Sequence, residues 1–507
     1  MRYFEHTGIA IALALCASGV YAQSAPGGFQ RLSVDEFVSR LLETDESLTS
    51  QVIEQQIATV TLEGEEALYE PEYFITWQRA RSYTATTAED SWRSGTDPTN
   101  PYREDDTTFR TGVSFKAPTG ASGDVFYDLS RLQNSLQTQS STGFSPEYNS
   151  ALGFTVSQPL LRNFGRDATE VDLRLADLEA QIARESGRLA LMRRSGEGVR
   201  AYIQVQRAQE RVSARSKSVQ IAENIVREIG RQVRIGLKGA DAITEASSAL
   251  GVRKAELAQA QRELEEQIGT FQTYFGAATA IIDGPRFLPG DPLVRVSSEY
   301  TEGVVNDDTA TALENRPEVR VNQQLIGVEE VKTDFAENQA LPELNLRLEY
   351  SRDMLTENKQ ALLRYLDDSL PFYRSAVVLE YRMGIDGGKK KQSEIRVSQL
   401  REQQARLTLN AAKQRVISEM EGVKVLVRRA LTQVQRQQEV FTAQERLLDV
   451  EKARVANGQS SRLEVLNREL DLILAQEGVA DAVAQLNITS FLASQANGTI
   501  LQRFGLE

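Results

Sequence analysis

Cysteine and histidine, the residue types that most often carry catalytic or metal chemistry, occur once each in this chain. Both Cys16 and His6 lie in the first 22 residues. An apolar run there is followed by VYA ending at Ala22, which fits the small-residue rule for signal-peptide cleavage. We therefore expect residues 1–22 to be a signal peptide and the exported chain to hold neither a thiol nor an imidazole.

Without those two residues, several chemistries are excluded from the exported chain. Disulfides, thiolate or imidazole metal sites, Ser-His and Cys-His nucleophiles and a histidine pH switch all need one of them. Carboxylates and lysines could still support acid–base catalysis. No pattern indicates it, so we predict no catalytic residue, no metal and no cofactor, and a protein that is not an enzyme.

Two alternatives to signal-peptide cleavage remain open. An uncleaved anchor would use the apolar run 9–17, which is shorter than the roughly 20 residues of a spanning helix. A lipoprotein would be modified at Cys16, but Leu15 is bulkier than the residue that usually precedes a lipidated cysteine. Both features favour cleavage after Ala22.

The charge distribution bears on the class of partner. The formal net charge is −13, and the basic residues are scattered along the whole chain. Binding to phosphates needs clustered Lys and Arg. The sequence therefore predicts no nucleic-acid partner.

Proline placement separates two kinds of segment. All 13 prolines lie at 26–159, 285–342 or 371, and none lies in 160–284 or 372–507. An interior proline costs a helix about 3 kcal/mol. The two proline-free segments therefore predict long helices, the first reaching about 100 Å at ~1.5 Å per residue.

Heptad spacing and one internal turn indicate that each long segment is a helical hairpin. Apolar residues recur every seven positions, which is typical of coiled coils: Leu250, Leu257, Leu264 and Phe271, then Val465, Leu472, Val479, Leu486 and Ala493. The turns are RIGLKGADAITEA (234–246) and ANGQSSRLEVLNRE (456–469). Each contains a glycine suited to a left-handed helix cap.

Alternating residues ahead of each hairpin predict strands with one apolar and one polar face. The runs begin at Tyr73, Tyr148, Leu344 and Val377. A soluble sheet with one buried face would show the same alternation. Export, strand lengths near the ~9–11 residues that cross a bilayer, and charged residues on the polar face favour transmembrane strands; these residues are Arg347, Glu349, Glu380 and Arg382.

So few strands cannot close a barrel alone, because roughly eight is the practical minimum and lipid does not tolerate unpaired edges. We therefore expect the chain to contribute strands to an oligomeric barrel. A further hairpin pattern runs from Phe109 to Leu129 around the turn APTGASG. The sequence leaves open whether this hairpin joins the barrel.

The two halves of the chain match each other, which predicts an internal duplication. The triplet EGV occurs at 197–199 and at 421–423, and the turn glycines Gly236 and Gly458 follow the two EGV glycines at similar spacing. The predicted division is the signal peptide 1–22, a first repeat 23–284 with strands about 73–157 and hairpin 163–284, a linker 285–315, and a second repeat 316–507 with helix 316–340, strands about 343–385 and hairpin 388–500.

Four features together resemble the TolC family of outer-membrane channel proteins, across nearly the whole exported chain. They are VSQPLLRNFGRD (156–167), the segment NRPEVRV to LRLEYS (315–351), YRMGIDGGKKKQSEI (381–395) and the two glycine turns. The resemblance implies an α+β membrane protein with a duplicated strand pair and long helical hairpin. In that family, three copies form a twelve-stranded β-barrel that continues into an α-helical periplasmic barrel.

The resemblance also implies a function and partners. The family provides the passive exit duct of tripartite efflux pumps and type I secretion systems, in the outer membrane and extending into the periplasm. Its partners are a periplasmic adaptor and an inner-membrane pump of the RND, MFS or ABC class. A periplasmic coiled-coil scaffold is the alternative; it would explain the heptads and the acidity but not strands of bilayer length.

By resemblance, the glycine turns form the periplasmic tip, where the duct closes and the adaptor docks. An acid commonly follows the turn glycine by six residues; Glu464 fits, whereas the first turn has Asp241 one place early. The family's tyrosine and arginine lock falls on Val455 and Ser460, so it is not carried over, and Arg462 is a candidate substitute. The implied gate is Glu464, Asp241 and Arg462, and the implied docking turns are Gly236, Leu237, Lys238, Gly458, Gln459 and Ser460.

Rings of acids in a trimer would focus cations at the gate. The alternative role of Glu464 and Asp241 is that of an ordinary acid at a helix N-terminus, which stabilises the helix by ~0.3–1 kcal/mol. The exported substrate cannot be read from the sequence, because the pump and adaptor select it.

Overall fold

The computed structural model describes residues 29–85, 87, 89, 91–92, 101–135, 137, 145–275, 286–294, 309–356, 372–384 and 388–505. The predicted signal peptide lies outside these residues, as do parts of the predicted linker. The chain divides into two compact units. Unit 1 comprises Met1–Glu46, Ser195–Ser297 and Arg429–Phe491, and unit 2 comprises Ser47–Arg194, Ser298–Arg428 and Leu492–Glu507.

Long helices account for most of the described residues. In chain order, the long and short α-helices are α1 (Val34–Thr44), α2 (Glu46–Glu66), α3 (Arg166–Thr169), α4 (Val171–Arg234), α5 (Asp241–Gln272), α6 (Thr309–Asn315), α7 (Pro317–Ala340), α8 (Lys389–Ala456), α9 (Arg462–Ala496) and α10 (Ile500–Arg503). Helices α4 and α8 have 64 and 68 residues. They are uninterrupted because neither contains a proline. None of the described helices is both long and apolar enough to span a membrane.

The strands form two sheets. They are β1 (Phe29–Leu32), β2 (Glu72–Thr84), β3 (Tyr102–Lys116), β4 (Ser122–Asn134), β5 (Glu147–Pro159), β6 (Arg286–Pro289), β7 (Glu343–Thr356) and β8 (Tyr373–Arg382). Strands β1 and β6 form a parallel pair. The other six form one sheet in the order β2-β3-β4-β5-β7-β8, with every pairing antiparallel.

The hairpin left open by the sequence is part of this sheet. Its strands β3 and β4 lie between β2 and β5 and pair with both along their length. Among the described residues, the first half of the chain therefore supplies four strands of this sheet and the second half supplies two. The sequence predicted a strand pair in each half, and the difference is the inserted β3–β4 hairpin.

The segment SQPLLRNFGRD connects the sheet to the helices. Strand β5 ends at Pro159, after which the Leu160 amide still donates to the Leu344 carbonyl at 2.7 Å. The chain then turns at Gly165, whose φ of +89° is a left-handed conformation that glycine adopts without strain. Helix α3 begins at the next residue, so the strand ends and the helices begin where the proline and glycine indicate.

An aromatic cluster forms part of the core of unit 1. Phe37 of α1 packs against Phe271 and Phe275, with ring centroids 4.9 and 5.5 Å apart, and Phe275 lies 4.4 Å from Phe287 of β6. All four rings are buried. The cluster joins the start of the described chain to the end of helix α5.

Tyr202 adds a polar centre to that cluster. Its hydroxyl lies 2.8 Å from the Leu32 carbonyl and 2.9 Å from Asp291 Oδ2, which also accepts the Val34 amide at 2.9 Å. Burial raises the pKa of the Tyr202 hydroxyl, and the neighbouring Asp291 carboxylate raises it further. The hydroxyl therefore stays protonated and holds strand β1 against helix α4.

The duplicated EGV triplets do not have duplicated packing. A Cβ on Gly198 would come within 3.0 Å of the Phe37 ring, whereas a Cβ on Gly422 would meet nothing within 4 Å. The first glycine is therefore required by close packing in unit 1. The second has no such constraint.

In unit 2, a buried arginine ties together three segments that are distant in sequence. Arg316 pairs with Glu318 at 2.8 Å and with Glu419 at 2.9 Å, and it donates to the Ala496 carbonyl at 3.1 Å. Its hydrogen bonds to the two carboxylates raise its pKa against the opposing effect of burial. The charge is thus paired, as a buried cation requires.

Candidate functional site

The two predicted turns have the same backbone geometry, and both lie in unit 1. Gly236 and Gly458 have φ of +77° and +70°. In the first turn, the Gly236 amide donates to the Val233 carbonyl at 3.0 Å and the Leu237 amide to the Gln232 carbonyl at 2.9 Å. These are the paired hydrogen bonds of a glycine-terminated helix cap.

The second turn repeats this pattern. Its Gly458 amide donates to the Val455 carbonyl at 3.0 Å, and the Gln459 amide donates to the Arg454 carbonyl at 2.8 Å. Both turns therefore satisfy the last carbonyls of a helix of more than 60 residues in the same way. This shared geometry supports the duplication inferred from the sequence.

The turns differ in the side chains that they expose. Ile235 and Leu237 flank the first turn glycine and are 62% and 71% exposed. The second turn glycine lies between Asn457 and Gln459. One turn is therefore apolar and the other polar.

Glu464 is the third residue of helix α9 and takes part in its N-terminal cap. Its amide lies 3.3 Å from the Ser461 hydroxyl oxygen, which accepts from it. Its carboxylate lies 3.7 Å from Arg468, one turn further along the same helix. The contacts of Glu464 are thus those of a helix-capping acid, and its predicted gate role stays a prediction.

Asp241 is the first residue of helix α5 and is exposed. A Cβ on Gly239 would lie 2.4 Å from the Asp241 Oδ1 atom, so the carboxylate folds back over the turn. An acid at this position is stabilised by the positive end of the helix dipole.

The positive charge of Arg462 acts electrostatically on Glu228 of the first hairpin. Glu228 is buried and accepts from Arg231 at 2.9 Å and from Gln232 at 3.3 Å. The hydrogen bond from Arg231 lowers the pKa of the Glu228 carboxyl, and the Arg462 charge contributes in the same direction. Glu228, which was not among the predicted site residues, therefore lies within the electrostatic influence of Arg462.

A second buried acid supports the other turn. Glu451 accepts a hydrogen bond from the Ser460 hydroxyl and lies 3.5 Å from Arg454. It is 6% exposed. The contact fixes Ser460, a predicted docking residue, against the end of helix α8.

Sequence reasoning missed both buried acids, although a signal exists. Each is followed three residues later by an arginine and precedes its turn glycine by seven or eight residues: Glu228 and Arg231 before Gly236, and Glu451 and Arg454 before Gly458. An acid and a base three apart usually mark an exposed surface pair. Their burial depends on the packing of the two hairpins, which the local pattern does not indicate.

The six-stranded sheet has a continuous apolar face. Cross-strand neighbours on it are Tyr73, Val113, Val125, Phe154 and Tyr350, one from each of β2, β3, β4, β5 and β7. These side chains are between 39% and 68% exposed. An exposed apolar surface that crosses this many strands indicates contact with lipid or with another protein.

The opposite face of the sheet is charged. Arg110 of β3 pairs with Asp124 at 2.9 Å and with Asp128 at 3.4 Å, and its guanidinium lies 4.0 Å from the centroid of the Phe126 ring. On β7, Arg347 and Glu349 pair at 2.7 Å. The alternation predicted from the sequence thus separates apolar and charged residues on the two faces.

Within the described ranges, no group of three or more acidic, histidine or cysteine residues is arranged to hold a metal ion. The acids of the turns and of the charged face pair mainly with arginines instead. These arrangements can attract ions and position a partner.

No known sequence family and no curated protein matches the chain. Solved structures do match. The likeness to CusC covers 94% of this chain and 95% of that chain, with a TM-score of 0.61 and 14% identity. For the Campylobacter jejuni CmeC outer membrane channel, the coverage is 92% and 86%, the TM-score 0.61 and the identity 13%.

The outer membrane protein VceC of Vibrio cholerae matches over 94% of this chain and 97% of its own, with a TM-score of 0.58 and 14% identity. At such low identity, the likeness concerns the fold. The chain has the fold of the TolC-type outer-membrane channels, and the resemblance drawn from the sequence motifs is confirmed at that level.

Proposed function

We propose that this protein is an outer-membrane channel that serves as the passive exit duct of a tripartite efflux pump or a type I secretion system. The observation that carries the proposal is the sheet with one exposed apolar face and one charged face, in a chain whose fold matches such channels nearly from end to end. The protein would carry out no chemistry itself.

The physical argument concerns the solvent of each face. Burying apolar surface is favourable by roughly 25 cal/mol per Å². Side chains such as Tyr73 and Val125 are more than half exposed on the isolated chain, so lipid is the environment that suits them. The Arg110 cluster suits a water-filled lumen. A periplasmic scaffold would not explain why this apolar face is exposed.

The assembly that we propose is a homotrimer in the outer membrane that extends into the periplasm. It would work with a periplasmic adaptor and an inner-membrane pump of the RND, MFS or ABC class. The exposed Ile235 and Leu237 support adaptor docking at the first turn, because buried apolar contacts drive most protein association. Glu464, Asp241 and Arg462 are proposed to line the gate, and the charge of Arg462 acts on the nearby carboxylate of Glu228.

The test uses the full-length protein purified from outer membranes. We expect it to require detergent, to migrate as a trimer and to conduct ions in planar lipid bilayers. A protein that stayed monodisperse without detergent and gave no conductance would instead be the periplasmic scaffold, and the channel proposal would be abandoned.

A further inference from the structure

The six-stranded sheet has two strands with a free edge. In the described part of the chain, β2 and β8 each pair with a neighbour on one side only. Both are exposed along almost their whole length, and Trp77 of β2 and Leu379 of β8 are each 65% exposed. Unpaired backbone groups cannot remain in a bilayer, where each would cost several kcal/mol. Something must therefore pair with both edges.

A second copy of this chain fits both edges at once. Every pairing in the sheet is antiparallel, and the number of strands is even, so β2 and β8 run in opposite directions. Strand β8 of one copy can therefore pair with β2 of the next without breaking the antiparallel pattern. The apolar residues of the two strands then lie on the same face, because Tyr73 and Val377 both belong to the apolar face.

The inserted hairpin is continuous with the rest of the sheet. Strand β3 pairs residue by residue with β2 from Tyr102 to Ser114 and with β4 from Glu104 to Lys116. Its Val113 and the Val125 of β4 carry the apolar face, and its Arg110 carries the charged face. A hairpin that plugged the lumen or lay outside the barrel would break these strand pairings and would not continue the apolar and charged faces.

The turn of the hairpin is also fixed to the connection between sheet and helices. The Thr119 carbonyl accepts from the Gly165 amide at 3.1 Å and from the Gln158 side-chain amide at 2.9 Å. Gly120 takes φ of +85° to close the turn. These contacts hold β3 and β4 in line with β5.

Glycines let β3, β4 and β5 approach their neighbouring strands closely. A Cβ on Gly112, Gly123 or Gly153 would lie 2.3 to 2.6 Å from a carbonyl oxygen of the neighbouring strand. Such close approach is possible only without a side chain. Glycines at these positions are a usual device for bending a sheet toward closure.

We propose that β3 and β4 are part of the pore wall, so that each copy contributes six strands and the trimer closes as an 18-stranded barrel. This inference rests on the proposed function. The proposed 18 strands replace the twelve that the family resemblance implies. Twelve strands would require four per copy, whereas the sheet has six. Because barrel diameter grows roughly linearly with strand number, the barrel is about 1.5 times as wide as a twelve-stranded one.

The wider barrel changes the class of cargo that the outer-membrane section admits. Barrels of 16–18 strands enclose an open aqueous channel. Because cross-sectional area grows with the square of the diameter, the barrel has about 2.25 times the cross-section of a twelve-stranded barrel. The barrel would therefore pass bulkier solutes or polypeptides than a twelve-stranded one, and the gate at the turns would set the narrowest point.

The decisive experiment is electron cryomicroscopy of the full-length protein in lipid nanodiscs, with the strands counted per copy. We expect six strands per copy and 18 in the barrel. Twelve strands, with β3 and β4 displaced into the lumen or outside the wall, would overturn this inference and leave the channel function intact. A particle without a membrane-embedded ring would refute the proposed function itself.

A deletion variant lacking residues 102–134 provides the matched comparison. Removing two adjacent antiparallel strands leaves β2 and β5 antiparallel, so a closed barrel remains possible. We expect four strands per copy and a barrel about two-thirds as wide. An unchanged diameter would show that the hairpin is not in the wall. If the variant does not fold, the strand count of the full-length protein decides alone.

Discussion

Glu477 of helix α9 is one of the residues through which the second hairpin contacts the first within unit 1. Its carboxylate accepts from Arg211 and from Arg215 of α4, each at 3.1 Å, and its side chain is 8% exposed. The two arginines also pair with Glu263 and Glu256 of α5. Three helices thus share one network of charges, in which a buried acid is paired twice.

We predict that Glu477→Gln destabilises the protein by about 1.5–3 kcal/mol, because the amide oxygen can still accept but the two arginines lose the negative charge that they share. Urea unfolding in a fixed detergent measures the change. The control is Glu439→Gln, whose partner Arg436 is 70% exposed, and we expect a change within about 0.5 kcal/mol. Equal effects of the two variants would contradict the network.

At Glu228, the stabilisation depends on pH. The hydrogen bond from Arg231 lowers the pKa of this carboxyl in the folded protein. A lowered folded-state pKa gives a stabilisation that is present above the unfolded value of about 4.3 and is lost as pH falls through the folded value. The charged form of Glu228 is thus the form that stabilises the folded protein, mainly through its hydrogen bond from Arg231.

Glu228→Gln should therefore lower the free energy of unfolding at pH 7. The decrease should be no more than about 1 kcal/mol, because Arg231 is well exposed. The difference from the unsubstituted protein should be constant near neutral pH and should shrink as pH falls below about 4.3 toward the lowered folded-state pKa. Thermal unfolding measured from pH 3 to pH 7 tests this, with the exposed Glu445→Gln as control. A difference of the same size at pH 3 as at pH 7 would exclude the charge as its cause.

At the scale of elements, the two hairpins depend on glycine caps of the same geometry. Both Gly236 and Gly458 take a left-handed conformation that costs other residues roughly 1–2 kcal/mol. Helix α8 also contains Gly422, which has helical backbone and open space around its Cα. The same substitution should thus have opposite effects at two positions of one hairpin.

We predict that Gly458→Ala destabilises the protein by about 1–2 kcal/mol. Gly422→Ala should instead stabilise it by about 0.5–1 kcal/mol, because alanine loses less backbone entropy in a helix. Unfolding free energies of the two variants, measured side by side, test the pair. Destabilisation of similar size at both positions would argue against the left-handed cap.

At the scale of the whole molecule, the proposed trimer would place three copies of each turn around one axis. Glu464 lies in the first turn of helix α9 and is partly exposed. Three carboxylates near an axis would attract cations and reject anions. A capping acid that faces away from the axis would affect stability alone.

We predict that Glu464→Gln reduces the cation preference of the channel, seen as a shift of the reversal potential toward zero in a salt gradient across a planar bilayer. The Glu439→Gln variant, changed on an exposed face of helix α8, should leave the reversal potential unaltered. An unaltered potential for Glu464→Gln would leave this residue with only the capping contact to Ser461.

The candidate site was only partly readable from the sequence. The turn glycines stand out because their effect is local: a left-handed residue must end a helix wherever it occurs. The sequence does not indicate the partners of the site residues. Arg462 acts electrostatically on Glu228, more than 200 residues earlier, and no short-range pattern indicates that the two residues lie near each other.

The sequence by itself determined the long helices, the alternating strands and the turns that end the hairpins, because proline, heptad spacing and glycine act within a few residues. Only the tertiary structure decided that β3 and β4 lie between β2 and β5, and that Glu228, Glu451 and Glu477 are buried. The order of strands in a sheet and the burial of a charge depend on segments far apart in the chain. Their contacts form only when the hairpins and the sheet are folded.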